Sequence, residues 1–173
     1  KQTSLLDCCY HDKLTIINGD VRDTSLIKKL LQTPDAIFPL ACLTGAPLCA
    51  KDPLGARSIN LDAIKNIQET RSKNQIIIFP TTNSGYGVGE KGIYCTEETP
   101  LRPVSLYGKY KVEVEKYLLD SINCMTYRFA TVFGVSPRMR LDLLVNDFTY
   151  RAFNDRFLIL FEAHFKRNYL HVR

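Results

Sequence analysis

The sequence contains no hydrophobic run long enough to form a membrane-spanning helix. Such a helix needs about 20 consecutive apolar residues, and no stretch of this 173-residue chain approaches that length. The opening residues, KQTSLLDCCY, also lack the long apolar centre of a secretory signal peptide. We therefore expect no membrane partner and a location in the cytoplasm.

The sequence also lacks a strong excess of charge. Its 23 Lys and Arg residues are spread among 18 Asp and Glu residues, and the formal net charge is +5. A domain that binds nucleic acid presents a more concentrated basic surface, so we expect no nucleic-acid partner. With 45% hydrophobic and 24% charged residues, the chain has the composition of a globular domain with a substantial core.

Paired cysteines of the zinc-binding kind are missing as well. Cys8 and Cys9 are adjacent, and the other four cysteines occur singly, at Cys42, Cys49, Cys95 and Cys124. No C-x-x-C pair frames a zinc site, and a chain of this size needs no disulfides for stability. We expect reduced thiols and no bound metal.

Short apolar runs alternate with helical patterns along the chain. Strands are predicted at 14–21, 35–41, 75–80, 124–132 and 169–172. Helices are predicted at 24–32 with Thr24 as the N-cap, at 56–67, at 106–120 with Ser105 as the N-cap, and at 143–153. A loop rich in Gly and Pro is expected at 44–55. This alternation is typical of βαβ units and predicts an α/β fold with a parallel sheet.

The strongest chemical signal is the pair Tyr107 and Lys111 in the predicted helix at 106–120. Residues four apart on a helix share a face, with Cβ atoms about 5–6 Å apart. A Lys111 ammonium at that distance favours the phenolate and lowers the pKa of Tyr107 from its usual value of about 10. Such a phenolate removes a proton from a substrate hydroxyl. The alternative is a helix surface that carries the two residues at this spacing by chance.

A second polar segment follows the predicted strand at 75–80. It reads Thr81-Thr82-Asn83-Ser84-Gly85-Tyr86-Gly87. Loops that leave the carboxyl ends of strands in an open parallel sheet line the ligand crevice. A hydroxyl in this segment is therefore expected to hydrogen-bond the substrate oxygen that Tyr107 deprotonates.

Together, the strand, the T-x-x-x-Y-G of residues 82–87 and the Y-x-x-x-K of residues 107–111 closely resemble the extended short-chain dehydrogenase/reductase family of nucleotide-sugar epimerases and dehydratases. The resemblance implies a Rossmann-like, doubly wound parallel sheet and a catalytic triad of Thr82, Tyr107 and Lys111. It also implies NAD as the cofactor, with NADP not excluded. A nucleotide-diphosphate sugar is the implied substrate, and a homodimer the implied assembly.

Other segments resemble the family's cofactor-binding motifs. Residues 18–23 look like the G-D-V-R-D segment that meets the adenine, residues 39–42 look like a strand end along the cofactor with Pro39 in place of histidine, and Asn60 matches a helix asparagine that braces the site. An ordinary helix-surface amide is the alternative for Asn60. The implied cofactor-binding residues are Asp20, Val21, Leu40, Ala41, Cys42, Asn60, Tyr107 and Lys111.

Two further segments resemble substrate-binding motifs. Asn146 and Arg167 stand where family members meet the substrate's diphosphate, and the full implied substrate-binding set is Thr82, Asn83, Asn146 and Arg167. We expect residues 1–134 to form a partial NAD(P)-binding domain and residues 135–173 to begin a substrate-binding region. His171 lies in an apolar run and is expected in the core.

The chain departs from the family at its start, because it contains no G-x-x-G-x-x-G turn. The first βαβ segment of the fold is then missing, and a gap is expected in the sheet between the strands at 14–21 and 35–41. Two interpretations stay open: the sequence is part of a longer enzyme, or it is a non-catalytic truncated fragment.

The residues after Thr82 bear on the reaction type. Dehydratases of the family place acidic residues directly after the catalytic threonine, whereas this chain has Asn83 and Ser84. Neither side chain replaces a carboxylate in acid–base chemistry. We therefore expect an epimerase or 4-oxidoreductase that acts by hydride transfer, with a nucleotide-sugar 4,6-dehydratase as the alternative.

Overall fold

The chain divides into two compact units. The computed structural model describes residues 2–89, 92 and 94–173. The larger unit is Asn18–Phe129, and the smaller one combines the residues up to Ile17 with Ala130–Arg173.

A three-stranded parallel sheet forms the centre of the larger unit. Its strands are β1 (Ala36–Ile37), β2 (Ile76–Thr82) and β3 (Cys124–Phe129), in the order β1-β2-β3. The register pairs Ile37 with Ile77, and Thr82 with Phe129. The predicted strand at 75–80 is thus confirmed as a central parallel strand.

The described residues of this unit form five α-helices. They are α1 (Thr24–Leu30), α2 (Ala46–Lys51), α3 (Pro53–Arg57), α4 (Ala63–Thr70) and α5 (Leu106–Leu119). A π-helical turn, Ser58–Asp62, joins α3 to α4. The prediction of α5 is confirmed together with its cap, since the Ser105 hydroxyl accepts a hydrogen bond from the Gly108 N–H at 3.1 Å.

The predicted cap of α1 is wrong. The Asp23 carboxylate accepts hydrogen bonds from the N–H groups of Ser25 and Leu26, both at 3.0 Å. These are the groups that a cap side chain satisfies, two and three residues after it. Thr24 is therefore the first helical residue and not the cap.

The predicted strand at 14–21 does not form. Residues 14–20 belong to no helix or turn and pair with no strand in the described part of the chain, and Val21 lies in a turn. An extended segment becomes a strand only when a neighbour supplies ladder hydrogen bonds. The predicted strand at 35–41 is shortened to β1 because Pro39, two residues beyond its end, has no N–H to donate.

Two other boundaries differ from the prediction. The expected loop at 44–55 contains α2 and the start of α3. Each of these helices has a proline in its first turn, where the missing N–H has no helical partner to lose. The predicted strand at 124–132 is divided into β3 and a separate strand, β4 (Thr131–Phe133).

The hydrophobic core lies between one face of the sheet and helices α4 and α5. Its members are Leu61, Ile64, Ile67, Ile77, Phe79, Val114 and Leu118. Side chains alternate across a strand, so Ile77, Phe79 and Thr81 are buried, while Tyr127 and Phe129 on the opposite face of the neighbouring strand are 43% and 41% exposed. Helices α4 and α5 thus cover this face of the sheet, and Lys111 on α5 lies near the carboxyl end of β2.

The smaller unit contains a two-stranded parallel sheet and one longer helix. Strand β4 pairs with β5 (Tyr169–His171), and α6 spans Leu144–Asn154. The predicted helix at 143–153 and strand at 169–172 are confirmed within one or two residues. In the described part of the chain, no helix has both the length and the apolar character needed to cross a bilayer.

Candidate functional site

The Lys111 side chain is the buried centre of the candidate site. It is 6% exposed, and its ammonium donates a hydrogen bond to the Pro80 carbonyl oxygen at 3.0 Å. The Nζ atom lies 4.4 Å from the ring centroid of Phe79 and 6.0 Å from that of Tyr107. Tyr107 and Lys111 therefore share a helix face, as their spacing predicts.

The electrostatics of Lys111 follow from this position. Burial lowers the pKa of its ammonium below the ordinary value, and the neighbouring Cys42 thiol acts in the opposite direction. A charge away from water interacts more strongly with its neighbours, because the surrounding medium screens it less. Lys111 is thus suited to favour the anionic form of the half-buried Tyr107 phenol.

Thr82 ends β2 and begins the turn that follows it. Its hydroxyl oxygen accepts a hydrogen bond from the Ser84 N–H at 3.2 Å, which caps the 3₁₀ turn Asn83–Tyr86. The Ser84 hydroxyl lies at the same distance from it. Thr82 therefore presents a hydroxyl that is fixed at the carboxyl edge of the sheet, and the predicted substrate residue Asn83 is the next residue.

Two glycines let this turn approach α5 closely. A Cβ atom at Gly108 would lie 3.2 Å from the Ser84 carbonyl oxygen and 3.1 Å from the Pro103 Cβ, and one at Gly85 would lie 2.9 Å from a Val112 methyl. The sequence motifs predicted no role for either glycine. Because these two glycines have no side chains, the Thr82 turn packs closely against the first two turns of the helix that carries Tyr107 and Lys111.

Asn60 supports the segment predicted to lie along the cofactor. It is 2% exposed, its amide oxygen accepts from the Leu43 N–H at 2.8 Å, and its amide nitrogen donates to the Leu43 carbonyl at 3.0 Å. The Cys49 thiol donates to the same carbonyl at 3.2 Å. The surface interpretation of Asn60 is wrong, because this side chain anchors the backbone directly after Cys42.

The residues before Leu43 form an accessible apolar strip. Leu40 is 69% exposed, Ala41 is exposed and Cys42 is half-buried. Burial raises the pKa of the Cys42 thiol, against the opposing effects of Lys111 and of a hydrogen bond from Thr44. The strip is therefore neutral and is suited to contact a flat ring.

Asp20 and Val21 lie outside any strand. The Asp20 carboxylate accepts hydrogen bonds from the Arg22 N–H and Nε–H, both at 2.9 Å. These hydrogen bonds lower the pKa of Asp20 to about 2. Asp20 is thus an ionised, solvent-facing acceptor at neutral pH, and Val21 is half-buried beside it.

Asn146 belongs to the smaller unit and is almost fully buried there. Its amide oxygen accepts from the Gly134 N–H at 3.2 Å, and its amide nitrogen donates to the Arg140 carbonyl at 2.9 Å. The amide thereby joins the end of β4 to the loop before α6. Both polar atoms have protein partners, so a contact with a ligand would use their remaining hydrogen-bonding capacity.

Arg167 lines a cavity of about 610 Å³ in the same unit. The cavity walls include the aromatic side chains Phe148, Phe161, Phe165 and Tyr169. An exposed guanidinium beside aromatic rings is suited to bind an anion next to a flat group.

The predicted core position of His171 is wrong: its side chain is exposed, and its ring contacts the Phe133 ring with 5.2 Å between centroids.

A family model matches this chain over nearly its whole length, and known proteins match most of it. The model of the NAD dependent epimerase/dehydratase family matches residues 3–173. A UDP-glucose 4-epimerase of Lactobacillus helveticus is 28% identical over 133 residues, which cover 72% of this chain and 40% of that protein. The UDP-glucuronate 4-epimerase 2 of Arabidopsis thaliana is 26% identical over 158 residues, 86% of this chain and 36% of that protein. The chain thus spans about two fifths of the length of these relatives.

Solved structures match the fold. The UDP-N-acetylglucosamine 4-epimerase of Methanobrevibacter ruminantium, in complex with UDP-N-acetylmuramic acid, has a TM-score of 0.82 and 24% identity, covering 94% of this chain and 55% of that one. The dTDP-glucose 4,6-dehydratase of Bacillus anthracis, in complex with NAD, has a TM-score of 0.82 and 18% identity, covering 99% and 55%. These likenesses confirm the predicted Rossmann-like α/β fold class.

Proposed function

Because this chain belongs to the NAD-dependent epimerase/dehydratase family, we propose that the full-length protein is an NAD-dependent nucleotide-sugar epimerase or 4-oxidoreductase. One observation carries the proposal: the ammonium of Lys111 is buried 6.0 Å from the Tyr107 ring, on a helix packed against the Thr82 turn. Burial of a charge is costly, and a purely structural helix would avoid that cost with an apolar side chain at this position.

The chemistry of the candidate cofactor residues suits NAD. Asp20 offers an ionised acceptor, Leu40 and Ala41 offer exposed apolar surface, and Lys111 offers a cationic donor. Adenine carries amino donors, and both of its faces are apolar, as are those of nicotinamide. When bound, NAD supplies the nicotinamide ring that takes up and returns a hydride. NADP remains the alternative.

The chain's own residues would handle the proton. The Tyr107 phenolate takes the proton of a sugar hydroxyl, at C4 in our proposal, while the hydrogen on that carbon leaves with its electron pair and a C=O bond forms. Lys111 stabilises the phenolate through its positive charge, and the Thr82 hydroxyl orients the substrate oxygen. Return of the hydride and proton, with the hydride entering the opposite face of the carbon, completes an epimerisation.

The residues beside Thr82 favour epimerisation over dehydration. A 4,6-dehydration needs a base for the C5 proton and an acid for the leaving C6 hydroxyl. Asn83 does not titrate near neutral pH. The Ser84 hydroxyl, which lies 3.2 Å from that of Thr82, is too weak an acid to replace a carboxylate. The likeness in fold to a dTDP-glucose 4,6-dehydratase keeps dehydration as the second candidate.

Substrate recognition is proposed for the smaller unit. Arg167 would pair with the diphosphate of the nucleotide sugar and Asn146 would contact it, and both lie within residues 135–173, where we place the start of the substrate-binding region. The family resemblance also implies a homodimer. Sedimentation of the full-length protein tests that assembly, and a monomer at micromolar concentration would contradict it.

The reaction type is tested by mass and stereochemistry. The full-length protein is incubated with NAD and with GDP-, UDP-, CDP- and dTDP-hexoses, and products are followed by mass spectrometry and NMR. An unchanged mass with inverted stereochemistry supports an epimerase, and loss of two hydrogens supports a 4-oxidoreductase. Loss of one water supports the dehydratase instead, and no conversion of any substrate contradicts the proposal.

A further inference from the structure

The Arg128 side chain joins three segments of the larger unit. Its Nε and Nη2 atoms donate to one oxygen of Glu115 at 2.7 and 2.6 Å, and its Nη1 donates to the Tyr86 hydroxyl at 3.1 Å and to the Glu97 carbonyl at 3.0 Å. Its guanidinium carbon also lies 5.2 Å from the Tyr86 ring centroid. One guanidinium on β3 thus connects α5, the turn that Thr82 caps and the segment at Glu97.

The two partners of Arg128 lead directly to the candidate site. Glu115 follows Lys111 by one helical turn, just as Lys111 follows Tyr107, so the three share a face of α5. Tyr86 is the last residue of the 3₁₀ turn Asn83–Tyr86, which Thr82 caps. Arg128 itself is the register partner of Thr81 in the sheet. The guanidinium therefore binds both to α5, through Glu115, and to the Thr82 turn, through Tyr86, where these two elements pack together.

The chemistry of the contact favours a rigid connection. The Glu115 side chain is 2% exposed and that of Arg128 17% exposed, so water competes little for this ion pair. A guanidinium is planar and directs its donors along fixed lines, whereas a lysine ammonium is a point charge. Only the planar group reaches Glu115, Tyr86 and the Glu97 carbonyl at once.

We infer that Arg128 is a positioning residue that sets the spacing between Thr82 and the Tyr107–Lys111 pair. This inference rests on the proposed function, because the spacing matters only if these three residues act on one substrate oxygen. Misplacement of reacting groups by about 1 Å costs on the order of a hundredfold in rate. A residue with only a structural role would change the amount of folded protein and not the rate of the folded fraction.

Two variants test the inference. Arg128→Lys keeps the positive charge and removes the planar guanidinium. Tyr86→Phe keeps the aromatic ring and removes the hydroxyl that accepts a hydrogen bond from Arg128. Glu113→Gln is the matched control, since Glu113 is on the same helix and forms a half-exposed ion pair with Lys65 at 2.8 Å. The full-length protein is studied in each case, so that the whole fold is present.

The first readout is hydrogen exchange without cofactor or substrate. We expect the amides of the turn Asn83–Tyr86 to exchange faster in Arg128→Lys and Tyr86→Phe, and at the wild-type rate in Glu113→Gln. This readout does not depend on enzymatic activity. Unchanged exchange in both network variants overturns the inference and leaves the proposed function untouched.

The second readout is a single turnover with enzyme in excess over the nucleotide sugar. We expect the rate of hydride transfer to fall about tenfold or more in Arg128→Lys, and less in Tyr86→Phe, with little change in the amplitude of the single turnover. A lower amplitude at the wild-type rate would show a structural role and overturn the inference. A wild-type protein inactive on every nucleotide sugar overturns the proposed function together with the inference. Should Arg128→Lys fail to fold, Tyr86→Phe alone decides both readouts.

Discussion

Individual side chains of the candidate site are defined by what surrounds them more than by their identity. Lys111 would be an ordinary solvated cation on most helices, but here it is buried against the Pro80 carbonyl and the Phe79 ring. Asn60 would be an ordinary amide, but it makes two hydrogen bonds to the backbone of Leu43. At this scale, the structure turns common residue types into fixed donors and charges.

We expect Tyr107→Phe to abolish most of the activity while preserving cofactor binding. The phenol oxygen is the proposed base, and loss of a general base lowers the rate by about 10²–10⁴-fold. Steady-state kinetics and NAD titration of the full-length protein measure the two effects. Tyr110→Phe is the control, because Tyr110 packs against the core and has no proposed role in catalysis. Near-normal turnover in Tyr107→Phe would remove the residue from the mechanism.

We expect Arg167→Leu to weaken binding of the nucleotide sugar by about tenfold or more, since a charge-assisted hydrogen bond is worth roughly 1.5–3 kcal/mol. NAD affinity should stay the same. Isothermal titration with both ligands measures the difference. Lys166→Leu, which removes an adjacent exposed cation, is the matched control. Equal losses in the two variants would indicate general attraction of anions and no specific contact.

Burial of Lys111 also predicts how stability depends on pH. Its pKa is lower in the folded state than the ordinary 10.5, so the unfolded chain holds this proton more tightly. The free energy of unfolding therefore rises as pH rises from the folded pKa towards 10.5. Relative to Lys111→Met, the wild type should gain stability over that range, as measured by urea unfolding. Lys109→Met, at an exposed position on the same helix, should run parallel to the wild type. A wild-type curve parallel to that of Lys111→Met would contradict the expected effect of burial.

At the scale of the elements, short local contacts decide where helices begin and how closely they approach their neighbours. Helix α5 begins at Leu106 because Ser105 caps it, and Gly108 and Gly85 leave room for the Thr82 turn beside it. The same local chemistry caps α1 at Asp23. The elements that carry the candidate site are thus fixed by side chains that take no part in its chemistry.

The cap of α1 gives a direct test. We expect Asp23→Ala to lower the free energy of unfolding measurably, because two N–H groups lose their acceptor. Thr24→Ala should have a much smaller effect, since Thr24 is inside the helix and alanine is a good helix former. Chemical denaturation of the full-length protein measures both. A larger loss in Thr24→Ala would restore the cap that the sequence pattern predicted.

At the scale of the whole molecule, burial is distributed unevenly. The core cluster lies entirely within the unit Asn18–Phe129, where α4 and α5 cover one face of the sheet. In the other unit, residues 155–168 are exposed throughout. Outside the helical turn at their start, they make two of the described backbone hydrogen bonds, from the Phe165 N–H to the Glu162 carbonyl and from the Thr131 N–H to the Asn168 carbonyl. Stability is expected to follow this distribution.

Hydrogen exchange should reveal this uneven distribution of stability between the two units. We expect the amides of β2 and α5 to exchange slowest, because their hydrogen bonds open only when the core opens. Those of residues 157–164 should exchange fastest, since they have no strand or helix partner among the described residues. Mass spectrometry of the full-length protein measures both segments in one experiment. Protection of 157–164 equal to that of β2 would contradict the expected distribution.

The sequence by itself determined the features that depend on neighbours along the chain. The cap at Ser105, the shared face of Tyr107 and Lys111, and the apolar strand β2 follow from helical and strand periods, which repeat within a few residues. The motif order also identified the family. Only the tertiary structure decided that residues 14–21 form no strand, that Asn60 is buried and that Arg128 joins Glu115 to Tyr86. Ladder pairing, burial and ion pairs depend on segments far apart in the chain, and no local period specifies which distant residues meet.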